Sequence, residues 1–163
     1  MFSVFKTNNM ILFNIFLILH IAGVVIIAGT TLTAFFISKQ LWVFIETNRQ
    51  KAQIFNSNGA LFGKMTGIGG MLTILSGIAM VALMHGAFVS QIWFQIKMIL
   101  VLLIILNASF FARAQNKKLG KLLSAAGNTT YEFNTIKSKM NLYYAIQFIF
   151  LMTIFVLSVF RFT

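Results

Sequence analysis

Met10-Ile11-Leu12-Phe13-Asn14-Ile15-Phe16-Leu17-Ile18-Leu19-His20-Ile21-Ala22-Gly23-Val24-Val25-Ile26-Ile27-Ala28-Gly29-Thr30-Thr31-Leu32-Thr33-Ala34-Phe35-Phe36-Ile37-Ser38 runs for 29 residues without a charged side chain. A helix needs about 20 predominantly apolar residues to cross the hydrocarbon core of a bilayer, so this stretch can span once. It is too long for the apolar region of a cleavable leader, about 7–15 residues, and no small-residue cleavage site follows it. It therefore reads as a retained anchor. Working outward, Met65–Gln91 is another uncharged run and is rich in glycine, Gln91–Ala112 carries only Lys97, and Met140–Phe160 carries no charge. The four runs predict an all-α, integral membrane four-helix bundle, with helices over about 10–38, 65–86, 91–113 and 140–161 in a single domain, 1–163.

Composition agrees. The chain is 59% hydrophobic and 9% charged, against roughly 25% charged in a soluble domain. Proline is absent, so nothing forces a helix break. With no cysteine, disulfides, thiolate metal ligands and c-type haem attachment are excluded. Any metal or cofactor must use His, Met, carboxylate or backbone groups.

The net charge of +11 comes from 13 Lys and Arg against Glu46 and Glu132. Nucleic-acid binding would place such charge along one groove or face of a soluble fold. Here the charges sit between hydrophobic runs, which is a pattern of topology, and nucleic acid is excluded as a partner. Lys39, Arg49, Lys51 and Lys64 separate the first two runs, while Arg113, Lys117, Lys118, Lys121, Lys137 and Lys139 separate the last two. The opposite side has Lys6 and Arg161, and the turn between runs two and three has none. The positive-inside rule then predicts both termini outside and two basic loops in the cytoplasm. Leu41-Trp42-Val43-Phe44-Ile45 is too apolar for an open linker, and is expected to extend helix one or lie along the interface. Leu119-Gly120-Lys121-Leu122-Leu123 suggests a short surface helix, followed by the polar turn Gly127-Asn128-Thr129-Thr130. Gly86 is the expected terminator of helix two, and Trp93 an interfacial anchor for helix three.

Ionisable residues within spans are costly and point to function. His20 lies about 15 Å into helix one at 1.5 Å per residue, near the bilayer centre. Two readings apply: a histidine hydrogen-bonded to a neighbouring helix, and a ligand to metal or haem. Gly63, Gly67, Gly70, Gly77 and Met84 share one side of helix two at 100° per residue. That glycine face suits close helix packing or clearance for a planar macrocycle. His85, at the outer end of helix two, differs from His20 in depth by about 10–15 Å on the same rise, which argues against a bis-histidine pair. It is expected to be solvated or to contact a propionate. Lys97 is placed either to snorkel to headgroups or to hold an anionic group of a ligand. Met80, Met84 and His85 carry soft and imidazole donors suited to Cu(I), although methionines also fill apolar gaps.

Three segments resemble a superfamily of small bacterial four-helix membrane proteins. It includes the HemJ-type protoporphyrinogen oxidases and the membrane domain of the copper-resistance protein CopD. The segments are Leu19-His20-Ile21-Ala22-Gly23 running on to Gly29, Gly70-Met71-Leu72 with Ser76-Gly77, and Trp93-Phe94-Gln95-Ile96-Lys97-Met98-Ile99-Leu100-Val101. The last is the most specific, with its Trp, three-residue gap and Lys. The similarity spans roughly 19–113. It implies a bundle in the bacterial inner membrane holding b-type haem, with His20 as ligand and Lys97 near the cofactor. Val24–Thr31 departs from the HemJ pattern, because it is almost wholly aliphatic where that family is richer in His, Arg and Trp. Few groups are left for moving protons or electrons, so no enzymatic activity is assigned.

Three functional expectations follow. The first is a haem-binding protein with a redox or porphyrin-related role. The second is a cofactor-free accessory subunit of a larger membrane complex; the partners expected beside the lipid bilayer are further copies of the chain or the subunits of such a complex. The third is copper transport or sensing through Met80, Met84 and His85.

Overall fold

The structure, a computed structural model, describes residues 2–87, 89–124 and 130–160. The expected turn at 127–129 and Arg161 lie outside the described residues, as does the side chain of Lys6. Among the described residues everything regular is helical: α1 (Phe2–Thr47), α2 (Arg49–Leu83), α3 (Ile92–Leu106), a π-helical segment (Asn107–Ala112), α4 (Arg113–Ser124) and α5 (Thr130–Val159). Three of these helices, α1, α2 and α5, are long and apolar enough to cross a membrane, and α3 is a shorter apolar helix.

The helices outrun the hydrophobic runs that predicted them. α1 has 46 residues, about 69 Å at 1.5 Å per residue, more than twice a hydrocarbon core of about 30 Å. The expected loop over 39–64 is helical except at Asn48, so the bounds 10–38 and 65–86 are corrected to 2–47 and 49–83. Leu41 and Trp42 extend α1 because both are buried. Asn48 is extended, at φ −155 and ψ 95, and its side chain accepts from the backbone N–H of Lys51. A short polar side chain at the N-cap satisfies one orphan donor of the first turn, so α2 starts at once. The result is a helical hairpin with a one-residue connection.

The π-helical segment joins α3 to α4 without a break in helical conformation. The expected bounds 91–113 thus become a rod over 92–124, whose last part is the surface helix foreseen near Leu119. Asn107 Nδ2 donates to Gln147 Oε1 at 3.1 Å, and the Phe111 ring stacks on Tyr143 with centroids 6.4 Å apart. These two antiparallel rungs fall across the π segment, where one wider turn re-phases the side chains.

Burial is concentrated at the basic end. Leu41, Trp42, Ala52, Leu119, Leu123, Ile136, Met140 and Tyr144 form the buried cluster, drawn from α1, α2, α4 and α5. Arg49 locks this end: its Nε donates to the Leu123 carbonyl at 3.1 Å and its Nη2 to the Leu122 carbonyl at 2.8 Å. A guanidinium there meets the unsatisfied carbonyls and negative pole of the α4 C-terminus. Tyr144 Oη donates to the Ala34 carbonyl at 3.1 Å, tying α5 to α1.

The apolar runs show the opposite pattern. Ile18, Ile68 and Ile149 are each more than 60% exposed. Contiguous apolar surface on this scale marks an interaction with membrane or protein. Hydroxyls along the same helices turn inward to the backbone four residues before them. Thr30 donates to Ile26, Thr33 to Gly29, Thr73 to Gly69, Thr153 to Ile149 and Ser158 to Ile154. Such self-satisfaction is what a surrounding without water requires.

Candidate functional site

α1 and α2 touch backbone to backbone where Gly23, Gly69 and Thr73 meet. A Cβ on Gly23 would stand 2.8 Å from both the Gly69 carbonyl oxygen and the Thr73 nitrogen. Those contacts are backbone, so neither can yield. Bare Cα atoms permit this approach, and it carries the next turn of α1 against α2. There the His20 ring covers Gly77, where a Cβ would lie 3.3 Å from His20 Cε1.

His20 is half-buried in this groove. Its Nδ1 is 2.9 Å from the Thr73 carbonyl oxygen and 3.3 Å from Ser76 Oγ. A carbonyl can only accept, so Nδ1 carries the hydrogen and donates it to Thr73. Ser76 Oγ in turn donates to the Leu72 carbonyl at 2.6 Å. In the neutral ring the lone pair is therefore on Nε2, which makes no hydrogen bond among the described residues. Lys97, half-buried on α3, is near enough for its charge to act on His20, and its Nζ lies 5.9 Å from the Trp93 ring centroid. Trp93 is buried and its indole N–H donates to Gln91 Oε1 at the start of α3. His20 and Gly77 are thus brought together, while Lys97 stands on α3, which packs against α5.

The other candidates are not. Gly70 does not face α1: a Cβ there, or at Gly63 or Gly67, would meet nothing within 4 Å. The packing glycine is its neighbour Gly69, one 100° step away. Periodicity counted from Thr66, Gly69, Thr73, Ser76 and Met80, at 3–4–3–4 spacing, could have found it. Thr66 also pairs with Thr30 across the helices at 2.9 Å.

His85 lies eight residues beyond Gly77, about 12 Å along the axis, so it does not join His20. It takes the place expected of Gly86 in ending α2. The Gly86 N–H donates to the Val81 carbonyl at 3.0 Å and the His85 N–H to the Ala82 carbonyl at 3.1 Å, the pair of bonds that closes a Schellman motif. His85 is left-handed at φ 51, and Gly86 follows at φ 72. Met84 is the C-cap, so a helix-ending motif accounts for the backbone from Val81 to Gly86. Among the described residues no group of three or more His, Cys, Asp or Glu side chains could hold a metal ion.

A polar pair absent from the expectations joins α3 and α5. Gln147 is fully buried, its Oε1 accepts from Asn107, and its Nε2 has no partner among the described residues. An amide inside the fourth hydrophobic run was the available signal.

The donor set can be tested against haem. Iron ligation by one histidine needs a lone pair on one ring nitrogen and a hydrogen bond orienting the other. His20 meets both conditions. Gly77 is the glycine of α2 that faces the ring, and Gly63, Gly67 and Gly70 lie about 10–21 Å further along the helix, so they leave no clearance beside it. His20 would hold the iron through Nε2, with no second histidine at that depth.

The chain matches no protein-family model, no curated protein and no solved structure.

Proposed function

We propose that the chain is a multi-pass membrane protein with four spans and both termini outside, in which His20 offers Nε2 to a b-type haem. The observation that carries the reading is the Nδ1–H bond to the Thr73 carbonyl, which fixes the tautomer and leaves the lone pair of the ring on Nε2. Lys97 is the countercharge for a propionate. The group, when bound, would supply one-electron redox chemistry or a platform for porphyrin handling. The resemblance of Leu19–Gly23 and Trp93–Val101 to the HemJ and CopD superfamily supports the same assignment, in a bacterial inner membrane. Absorption spectra of the detergent-purified chain, reconstituted with haem, test it. The wild type shows a Soret band that His20→Ala loses, and its absence from the wild type rejects the haem.

A second reading is favoured by the contacts of Gly23, Gly69 and Gly77, which account for the small residues by helix packing alone. On that reading the chain is a cofactor-free accessory subunit, and the clear face of Gly63, Gly67 and Gly70 receives a neighbour. Stoichiometric co-purification of another membrane protein, with no haem absorbance, would select it.

The span number and orientation have their own test. With no native cysteine, Ser57→Cys and Ser90→Cys give single reporters on opposite sides. Ser90→Cys is labelled by an impermeant maleimide in intact cells and Ser57→Cys only after lysis; the reverse result inverts the topology.

A further inference from the structure

Three lysines line a groove of about 340 Å³ between α4 and α5. Lys118 and Lys121 enter it from α4, and Lys139 from α5, with Tyr131, Glu132 and Thr135 completing the lining that matters here. All three lysines are exposed, and among the described residues none forms an ion pair with Glu132. Three cations against one carboxylate around a concave surface leave a positive potential that an anion relieves.

Depth identifies the anion. Ile92–Ala112 is 21 residues, about 31 Å of helix, which matches the hydrocarbon core. α4 therefore leaves the core at Arg113. On α5, Lys139 immediately precedes the uncharged run 140–160, at the same boundary. From Lys139 back to Glu132 is about 10 Å of helix, close to the headgroup layer of about 5–8 Å on each side of the core. The groove thus lies at the level of lipid phosphates, with an exposed Tyr131 of the amphipathic kind that favours interfaces.

We infer that the α4–α5 groove is a binding site for the phosphate headgroup of an anionic phospholipid, held by Lys118, Lys121 and Lys139. This rests on the membrane-spanning part of the proposed function and is independent of haem. Basic residues placed only to orient the chain would act by count, wherever they sit on that side. A headgroup site acts by position.

The test is native mass spectrometry of the full chain in detergent, titrated with phosphatidylglycerol or phosphatidylcholine. The wild type retains phosphatidylglycerol about tenfold more than phosphatidylcholine, as several lysine–phosphate contacts provide. Lys118→Gln/Lys121→Gln/Lys139→Gln abolishes that preference, the corresponding triple Arg variant keeps it, and Lys39→Gln/Lys51→Gln/Lys64→Gln, with the same change in charge, leaves it within about twofold. Circular dichroism verifies that each variant keeps its helix content. Equal loss in both Gln triples overturns the site, as does a wild type without preference. Displacement of the lipid by inorganic phosphate at equal phosphate concentration would assign the groove to a soluble anion and overturn it too. A chain that sediments with membranes yet shows no lipid preference fails this inference while keeping its spans.

Discussion

The Gly23 carbonyl oxygen lies 3.0 Å from the point where a Cβ on Gly69 would stand. α1 and α2 therefore touch backbone to backbone, and every contact of His20 with α2 depends on that approach. Gly23→Ala or Gly69→Ala must push the helices apart, at a cost of about 1–3 kcal/mol. Gly67→Ala, in open space, should change stability by less than about 0.5 kcal/mol. Thermal unfolding in detergent separates them, and equal effects would refute the contact.

His20 can be dissected by what each substitute retains. His20→Leu leaves the Thr73 carbonyl without its inter-helix donor and should destabilise by about 0.6–1.5 kcal/mol. His20→Gln keeps an N–H for that carbonyl and should recover part of the loss, while giving iron no imidazole. Stability and the Soret band then report different things. If both variants lose haem but only Leu loses stability, the two ring nitrogens have separate duties.

Which parts of this neighbourhood were legible follows from phase. His20 stood out because an ionisable group in an apolar run is rare, and Gly77 because small residues recur near it. Choosing between Gly69 and Gly70 required knowing which side of α2 faces α1, and one residue changes that by 100°. The hydrophobic runs marked where lipid would lie and not where backbone hydrogen bonding stops, so α1 and α2 were read short by the buried Leu41 and Trp42 and by the cap at Asn48. Asn107 and Gln147 could not be paired in advance, since their register depends on how α3 lies against α5.

The end of α2 offers a stabilising change. His85 adopts φ 51 at a position where glycine is the common choice. His85→Gly should raise stability by up to about 1 kcal/mol, because a Cβ in left-handed conformation is penalised by about 1–2 kcal/mol and glycine returns part of that in the unfolded chain. A lower melting temperature would mean that the exposed imidazole makes a contact worth more than the strain.

Asn107 and Gln147 should behave as a coupled pair. Gln147→Leu strands the Asn107 amide in apolar surroundings and should cost about 1–3 kcal/mol, whereas Asn107→Leu/Gln147→Leu removes both polar groups and should come close to the wild type. The four corners of the cycle, measured by unfolding in detergent, give the coupling directly. Additive single effects would show that the bond contributes nothing.

The one-residue connection at Asn48 has a consequence for how the molecule is made. Because α2 begins as soon as α1 ends, all the partners that His20 bonds, Thr73 and Ser76 included, belong to the first half of the chain. That half closes on itself through neighbouring segments, the kind of contact that forms fast. Once α2 has left the ribosome, the two leading helices can pair while the later ones are still being made, with the imidazole seated between them. α3 and Lys97 then arrive beside a neighbourhood that is already assembled, and the later helices need only dock against it.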